Sequence, residues 1–451
     1  MSFTGRGTNG EYLRETLLGP DWTGPDALGA RVGPGETYTS IYDAWAAGKS
    51  IIDVVGNTTE PETDMMIDGS GVEIHVHNKS TITTVAASQR YVIGSGGSLN
   101  IYGYGGSTFR GASTSASGLI TVSSYAQLRI KDMILESYSS ASDRPLVGIA
   151  GGEVEIEGGK LIIPDYAKTG ISTIEDDSAV RIKDMIIEGL GSSSTNPISV
   201  GGGNNAKSVL EGLIMTGGGG GILVGGPGVT MSDILIDNTG DVTMEVGGKV
   251  SNLHAYRQGQ SVDLVVKEPY SAFTNCNLGG GQIRKVPANP PVGGTTFVNI
   301  FASGGIYLPD QPEILISNSI LGSGDVMTGV GPHSQIVNVR AGTIVASGED
   351  CLISNSYADR DIDFNGWDGI KISNCNARRY VGTGSNGELI GSRARFYQTF
   401  RTSSWLIDGC RFVAGIRMFG DSYGNFINGC MIQSGILDLG TSNASGINFV
   451  Y

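Results

Sequence analysis

Charge is scarce in this chain. Only 16% of its 451 residues are charged, and acidic residues outnumber basic ones 44 to 30. The formal charge of −14 argues against nucleic acid or an anionic membrane as a partner, because both attract basic surface. No apolar run is long enough to cross a bilayer, so membrane insertion is not expected either. Histidines number four and cysteines five. His75 and His77 alternate on one stretch while His254 and His333 lie far away, so no metal-ligand spacing appears and no cofactor is expected. Proline is sparse at 15, whereas glycine reaches 71. Without a Gly-X-Y period, this is the composition of many tight turns rather than of collagen or a disordered tail. The run Gly217–Gly221 lacks the Lys-Ser/Thr ending of a phosphate loop and reads as one such turn.

A short phrase recurs through most of the chain, as in Ile316-Ser317-Asn318-Ser319, Ile353-Ser354-Asn355-Ser356 and Ile372-Ser373-Asn374-Cys375. Its third position is Asn, Asp or Gly, falling at Asp132, Gly158, Asp184, Gly212, Asp233, Asn252, Asn275, Asn299, Asn318, Asn338, Asn355, Asn374, Gly391, Gly409, Gly429 and Gly446. Neighbouring markers lie about 17 to 28 residues apart, a period that marks a solenoid of stacked coils. Asn and Gly tolerate a left-handed turn, and an Asn amide can bond its copy on the next coil.

Seven residues past the marker comes an apolar residue, at Ile306, Val345, Ile362, Val381, Ile416 and Ile436. Alternation at period two, broken by glycine, predicts short strands with one face inward, stacked at ~4.8 Å per coil. Cys276, Cys375, Cys410 and Cys430 follow the marker directly, where Ser319 and Ser356 sit in other coils. That equivalence suggests an interior ladder of small side chains with reduced thiols, although Cys410 and Cys430 lie on successive coils where a disulfide is conceivable.

The repeated apolar-x-Asn phrase resembles the right-handed parallel β-helix of the pectate-lyase-like superfamily, which includes bacteriophage tailspikes. The resemblance spans residues 38–451 and implies an all-β, single-stranded parallel β-helix with a short N-terminal capping helix. It is specific for fold and not for activity, since such coils carry lyases, hydrolases and plain structural rods. Polygalacturonase-type enzymes of this shape carry Arg-Ile-Lys and Asp-Asp. Here Arg129-Ile130-Lys131, Arg181-Ile182-Lys183 and Asp176-Asp177 are present, but Gly-His-Gly is missing and the order differs. Alternating charge outside an apolar strand position accounts for these residues.

Three segments follow. Residues 1–37 form an arm, either a flexible leader or an attachment segment that orders against other virion proteins. Residues 38–50 hold the capping helix, with Ser40 as N-cap, Ile41, Ala44 and Trp45 on one face and Gly48 as stop. Residues 51–451 form the β-helix. The N-terminus has no basic-then-apolar pattern, which favours a virion protein assembled in the host cytoplasm over a secreted enzyme. At the other end, Phe449, Val450 and Tyr451 would leave an apolar terminal coil in need of a cover. The resemblance to tailspikes implies a homotrimer.

A candidate site stands in Tyr357-Ala358-Asp359-Arg360-Asp361-Ile362-Asp363-Phe364. With Ile362 and Phe364 inward, Asp359, Asp361 and Asp363 face outward together, which disfavours a strand unless function requires it. Coil alignment pairs Asp359 with Arg378 and sets Asp361 between Ile344 and Tyr380 and Asp363 between Ala346 and Gly382, both away from charge. Asp361 and Asp363, ~6.7 Å apart at Cα, fit an acid and base pair for glycoside hydrolysis. Tyr307, Trp367, Tyr380 and Tyr397 could stack on sugar rings, and Arg417 could hold an acidic sugar. The function expected is a tailspike-type virion protein that binds host surface polysaccharide, with hydrolysis of it left open. A free-standing polysaccharide lyase or glycoside hydrolase and a purely structural rod are the alternatives.

Overall fold

The computed structural model describes residues 29–84, 91–111, 118–137, 145–163, 169–173, 178–188, 196–200, 208–217, 221–225, 228–238, 242–255, 261–285, 292–309, 311–323, 327–364, 366–396, 398–418, 423–433, 437–438, 444–445 and 448–450. Each coil contributes up to three short strands, all pairing in parallel with their counterparts one coil away, in a right-handed all-β solenoid. One coil shows the plan: Leu352–Ser354 on a first sheet, Tyr357–Ala358 on a second and Asp361–Asp363 on a third. The marker stands at the corner between the first two. Asn318, Asn338, Asn355 and Asn374 have φ of 49°, 54°, 49° and 52°, and Asp132, Asp184 and Asp233 lie in the same left-handed region. In four coils the strand runs through this corner unbroken, as in Thr230–Asn238 and Lys249–Ala255, with the marker as a bend within it.

The corner side chains bond along the axis. Asn252 Nδ2 donates to Asp233 Oδ1 at 2.9 Å, Asn275 to Asn252 at 3.2 Å, Asn299 to Asn275 at 2.9 Å and Asn338 to Asn318 at 2.8 Å. The earlier coils use another solution. Asp132 and Asp184 alternate with Gly158 and Gly212, and a Cβ on either glycine would collide with the carboxylate of the preceding aspartate. Alternation therefore keeps two carboxylates from stacking directly.

Inside, Ile316, Ile336, Ile353, Ile372, Leu389, Ile407 and Ile427 form one continuous column, each at most 1% exposed. Burying each such side chain contributes about 1.5–3 kcal/mol. The column just past the marker is buried too. Ser356 Oγ donates to Ser354 O at 2.8 Å and accepts from Val339 N, and Ser392 serves Ile390 O and Cys375 N in the same way. Cys375 Sγ likewise points to Ser373 O. A small donor there satisfies the backbone where it leaves the ladder. All five cysteines are buried and free, Cys410 and Cys430 included.

At the N-terminal end, Ala30–Val32 pairs in register with Ile52–Val54. The ladder thus begins inside the segment assigned to the arm, because the alternating Ala30 and Val32 complete an inward face. The helix Ile41–Ala46 packs on this end, with Ser40 accepting from Asp43 N. The buried Glu60 carboxylate accepts from Ile41 N and Tyr42 N at 3.0 and 3.1 Å, and burial raises its pKa.

Two outcomes follow from this packing. Ile362 is fully buried between Ile344 and Tyr380, so Ile362→Asp should lower unfolding free energy by about 3–5 kcal/mol, read from urea denaturation. A soluble variant of wild-type midpoint would contradict the inward assignment. Burial pushes the Cys276 and Cys375 thiols up to about 12 and about 11. The Cys276, Cys351, Cys375 and Cys410 thiols, all buried and all raised, should therefore resist iodoacetamide at pH 8 and react only in denaturant, as counted by mass spectrometry.

Candidate functional site

The acidic strand takes its shape from the large rings beneath it. Phe364 is fully buried and stacks on Trp405 with centroids 4.7 Å apart. Gly382, on the next coil, leaves the space that ring occupies. Ile362 and Phe364 therefore fix Asp361 and Asp363 outward, both half-buried.

The charge partners differ from those expected. Asp361 lies opposite Arg379, not Tyr380, and receives a two-pronged contact from Nε and Nη2 at 3.0 and 2.6 Å. This pairing raises the pKa of Arg379. Asp359 meets Arg340 at 3.7 Å, while Arg378 stacks over Phe396 at 4.4 Å. Asp363 stands between Val345 and Val381 rather than Ala346 and Gly382. The cause is a one-residue difference at the second corner. Ile344 and Tyr380 turn inward six residues past Asn338 and Asn374, whereas Ile362 does so seven past Asn355. A slip of one residue flips every side chain of a strand. Val345 and Val381 accordingly lie on the outer side of the strand, half-buried.

The same slip removes Tyr380 from the surface. It is 1% exposed, and its hydroxyl donates to Cys375 O at 2.9 Å. Tyr307 and Trp367 are exposed, at 47% and 42%. Tyr307 shares an outward column with Gly329, Val345, Asp363 and Val381, which places it three coils, or ~14 Å, from Asp363. Arg417 is exposed and pairs in register with Thr399, a similar distance beyond Asp363 in the other direction. Tyr397 lies outside the described residues. Tyr307, Asp363 and Arg417 thus form a file along the third sheet and do not converge. Both Asp361 oxygens are already engaged, which leaves that carboxylate poorly placed to act as acid or base with Asp363.

A different surface carries a concavity. On the first sheet, a groove of about 470 Å³ is lined by Ser98, Asn100, Gln127, Arg129, Glu153 and Arg181, among others, from four successive coils. Its charges are interlocked: Arg129 Nη2 meets Glu155 at 2.6 Å, and Arg181 approaches the same carboxylate at 4.0 Å. Beside it, rings stack across coils. His75 lies 5.2 Å from Tyr102 and His77 lies 5.0 Å from Tyr104, with planes within 20° and 14°. His75 is held by Glu73 at 2.5 Å and Tyr104 Oη at 3.0 Å, and His77 by Asp53 at 3.1 Å. The sequence signal for this wall was present in His75-Val76-His77 and Tyr102-Gly103-Tyr104, two period-two pairs one coil apart. Among the described residues, no group of three or more His, Cys, Asp or Glu is placed to hold a metal ion.

A scan of protein-family models finds no match to this chain, and searches of curated proteins and of solved structures find none either.

The ion-pair assignments are open to a double-mutant cycle. Asp361→Asn and Arg379→Gln should each cost about 0.5–1 kcal/mol and show coupling of similar size, given that the pair is partly exposed. Asp359→Asn and Arg378→Gln should be additive in urea unfolding. Coupling in the second cycle and none in the first would restore the original alignment.

Proposed function

We propose that this chain is a polysaccharide-binding rod of the tailspike type, a virion protein that meets the host surface through its solenoid wall. The observation that carries the reading is the first-sheet groove. It offers amide, hydroxyl, guanidinium and carboxylate groups from four consecutive coils, and such a periodic, polar, open surface suits a polymer of repeating hydroxylated units. The neighbouring His–Tyr wall supplies rigid edges with hydrogen-bonding groups. Under this reading the rod is a homotrimer, its N-terminal arm joins other virion proteins, and assembly takes place in the host cytoplasm.

Binding has more support than hydrolysis. The two-pronged Arg379 contact occupies Asp361, so Asp361 and Asp363 act in this reading as strand and surface carboxylates. A free-standing lyase or hydrolase would need a second carboxylate acting with Asp363, and Asp361 is engaged by Arg379.

The experiment is glycan binding by the purified chain with surface polysaccharides extracted from candidate host bacteria. Asn100→Ala combined with Gln127→Ala should weaken binding by at least ~tenfold without moving the urea midpoint, since loss of two hydrogen bonds costs about 1 kcal/mol or more each when neither is replaced. Light scattering should give a mass near three times 47.0 kDa. Absence of binding to any extract would favour the structural rod, and release of reducing ends or unsaturated sugars would favour the enzyme.

A further inference from the structure

The chain is acidic overall, yet one face gathers arginines. On the second sheet the position two residues past the marker points outward, and from Arg340 to Arg411 it reads Arg340, Tyr357, Asn376, Arg393 and Arg411. Arg378 and Arg395 stand on the adjoining corner, and all five arginines are exposed. Arg393 and Arg411 are direct register partners, an arrangement of like charges that costs stability in a ladder. Neighbouring carboxylates do not neutralise the group. Asp359 reaches Arg340 at 3.7 Å, but among the described residues Arg411 bonds only the neutral Gln433, at 3.3 Å, and Arg378 lies over Phe396.

The arginines are also positioned. Arg340 and Arg395 lie over the Tyr357 ring with guanidinium carbons 5.5 and 5.6 Å from its centre. Arg395 Nη2 further donates to the Tyr357 hydroxyl at 3.0 Å. Cation–π contact and a hydrogen bond hold these guanidiniums without consuming their charge. Between Tyr357 and Arg393 in the ladder, Asn376 leaves its buried amide oxygen without a hydrogen-bond partner among the described residues.

From Arg340 to Arg411 is four coil steps, so the cations span ~19 Å along the axis. We propose that this arginine face is a binding site for an acidic polysaccharide, one carrying a carboxylate on its sugar units, laid along the coil stack. It extends the reading above by giving the glycan a charge, and it uses a different sheet from the groove. The site matches a polymer with about one anion per sugar better than it matches nucleic acid. A duplex carries one charge per ~1.7 Å and calls for a broad basic field, which a chain of net charge −14 opposes.

The test measures binding of the full chain to alginate, to dextran and to single-stranded DNA by biolayer interferometry at two salt concentrations. Alginate binding should weaken with salt and fall at least ~tenfold in Arg393→Ser/Arg411→Ser. The urea midpoint of that variant should hold or rise, because a like-charge pair is removed. Alginate binding unaffected by the arginine variant would overturn this site while sparing the polysaccharide reading. Failure of alginate, dextran and host extracts alike would overturn both. DNA binding as tight as alginate and equally sensitive to the variant would overturn the assignment to a glycan.

Discussion

The left-handed corner between the first and second sheets is the constraint on which the rest depends. It redirects the chain by a fixed angle once per coil, so each strand arrives in register above its predecessor. Residues with a β-branched side chain cannot adopt that backbone cheaply, while Asn and Gly can. Asn adds an axial hydrogen bond from coil to coil. The parallel ladders, the inward isoleucine column and the outward columns all inherit their alignment from that repeated position.

Polar and charged groups are arranged according to the same stacking. Inside, serine hydroxyls satisfy the backbone just past the corner, with cysteine thiols on the same column. Outside, each charge sees the residue one coil above and one below, so ion pairs form between coils. The series Arg129, Glu155 and Arg181 alternates in sign, so each guanidinium faces a carboxylate. The second sheet near Arg393 and Arg411 does not. A net charge read from composition averages over such columns and conceals a basic face on an acidic rod.

Much of the architecture could be read from the residues alone, because it follows from local rules repeated many times. Asn318, Asn355 and Asn374 are recognisable as corners from their residue type and spacing, and the inward parity of Ile362 and Phe364 follows from strand alternation. The interior column containing Cys375 and Ser356 follows from their common place after the corner. The candidate site was less legible. Arg379 rather than Arg378 partners Asp-bearing coils, and Tyr380 is core rather than surface, because the second corner differs in length by one residue between coils.

The sequence by itself thus determined the all-β solenoid, its period, its corner residues and the alternation of faces along each strand, since each depends on backbone preference and alternation over a few residues. Tertiary structure alone decided which residues of different coils meet. A corner can absorb or lose one residue without breaking its own local pattern, yet that single residue inverts the next strand and reassigns every neighbour across the ladder. The Asp361–Arg379 pair, the burial of Tyr380, the groove beside the His–Tyr wall and the arginine face all lie on that level.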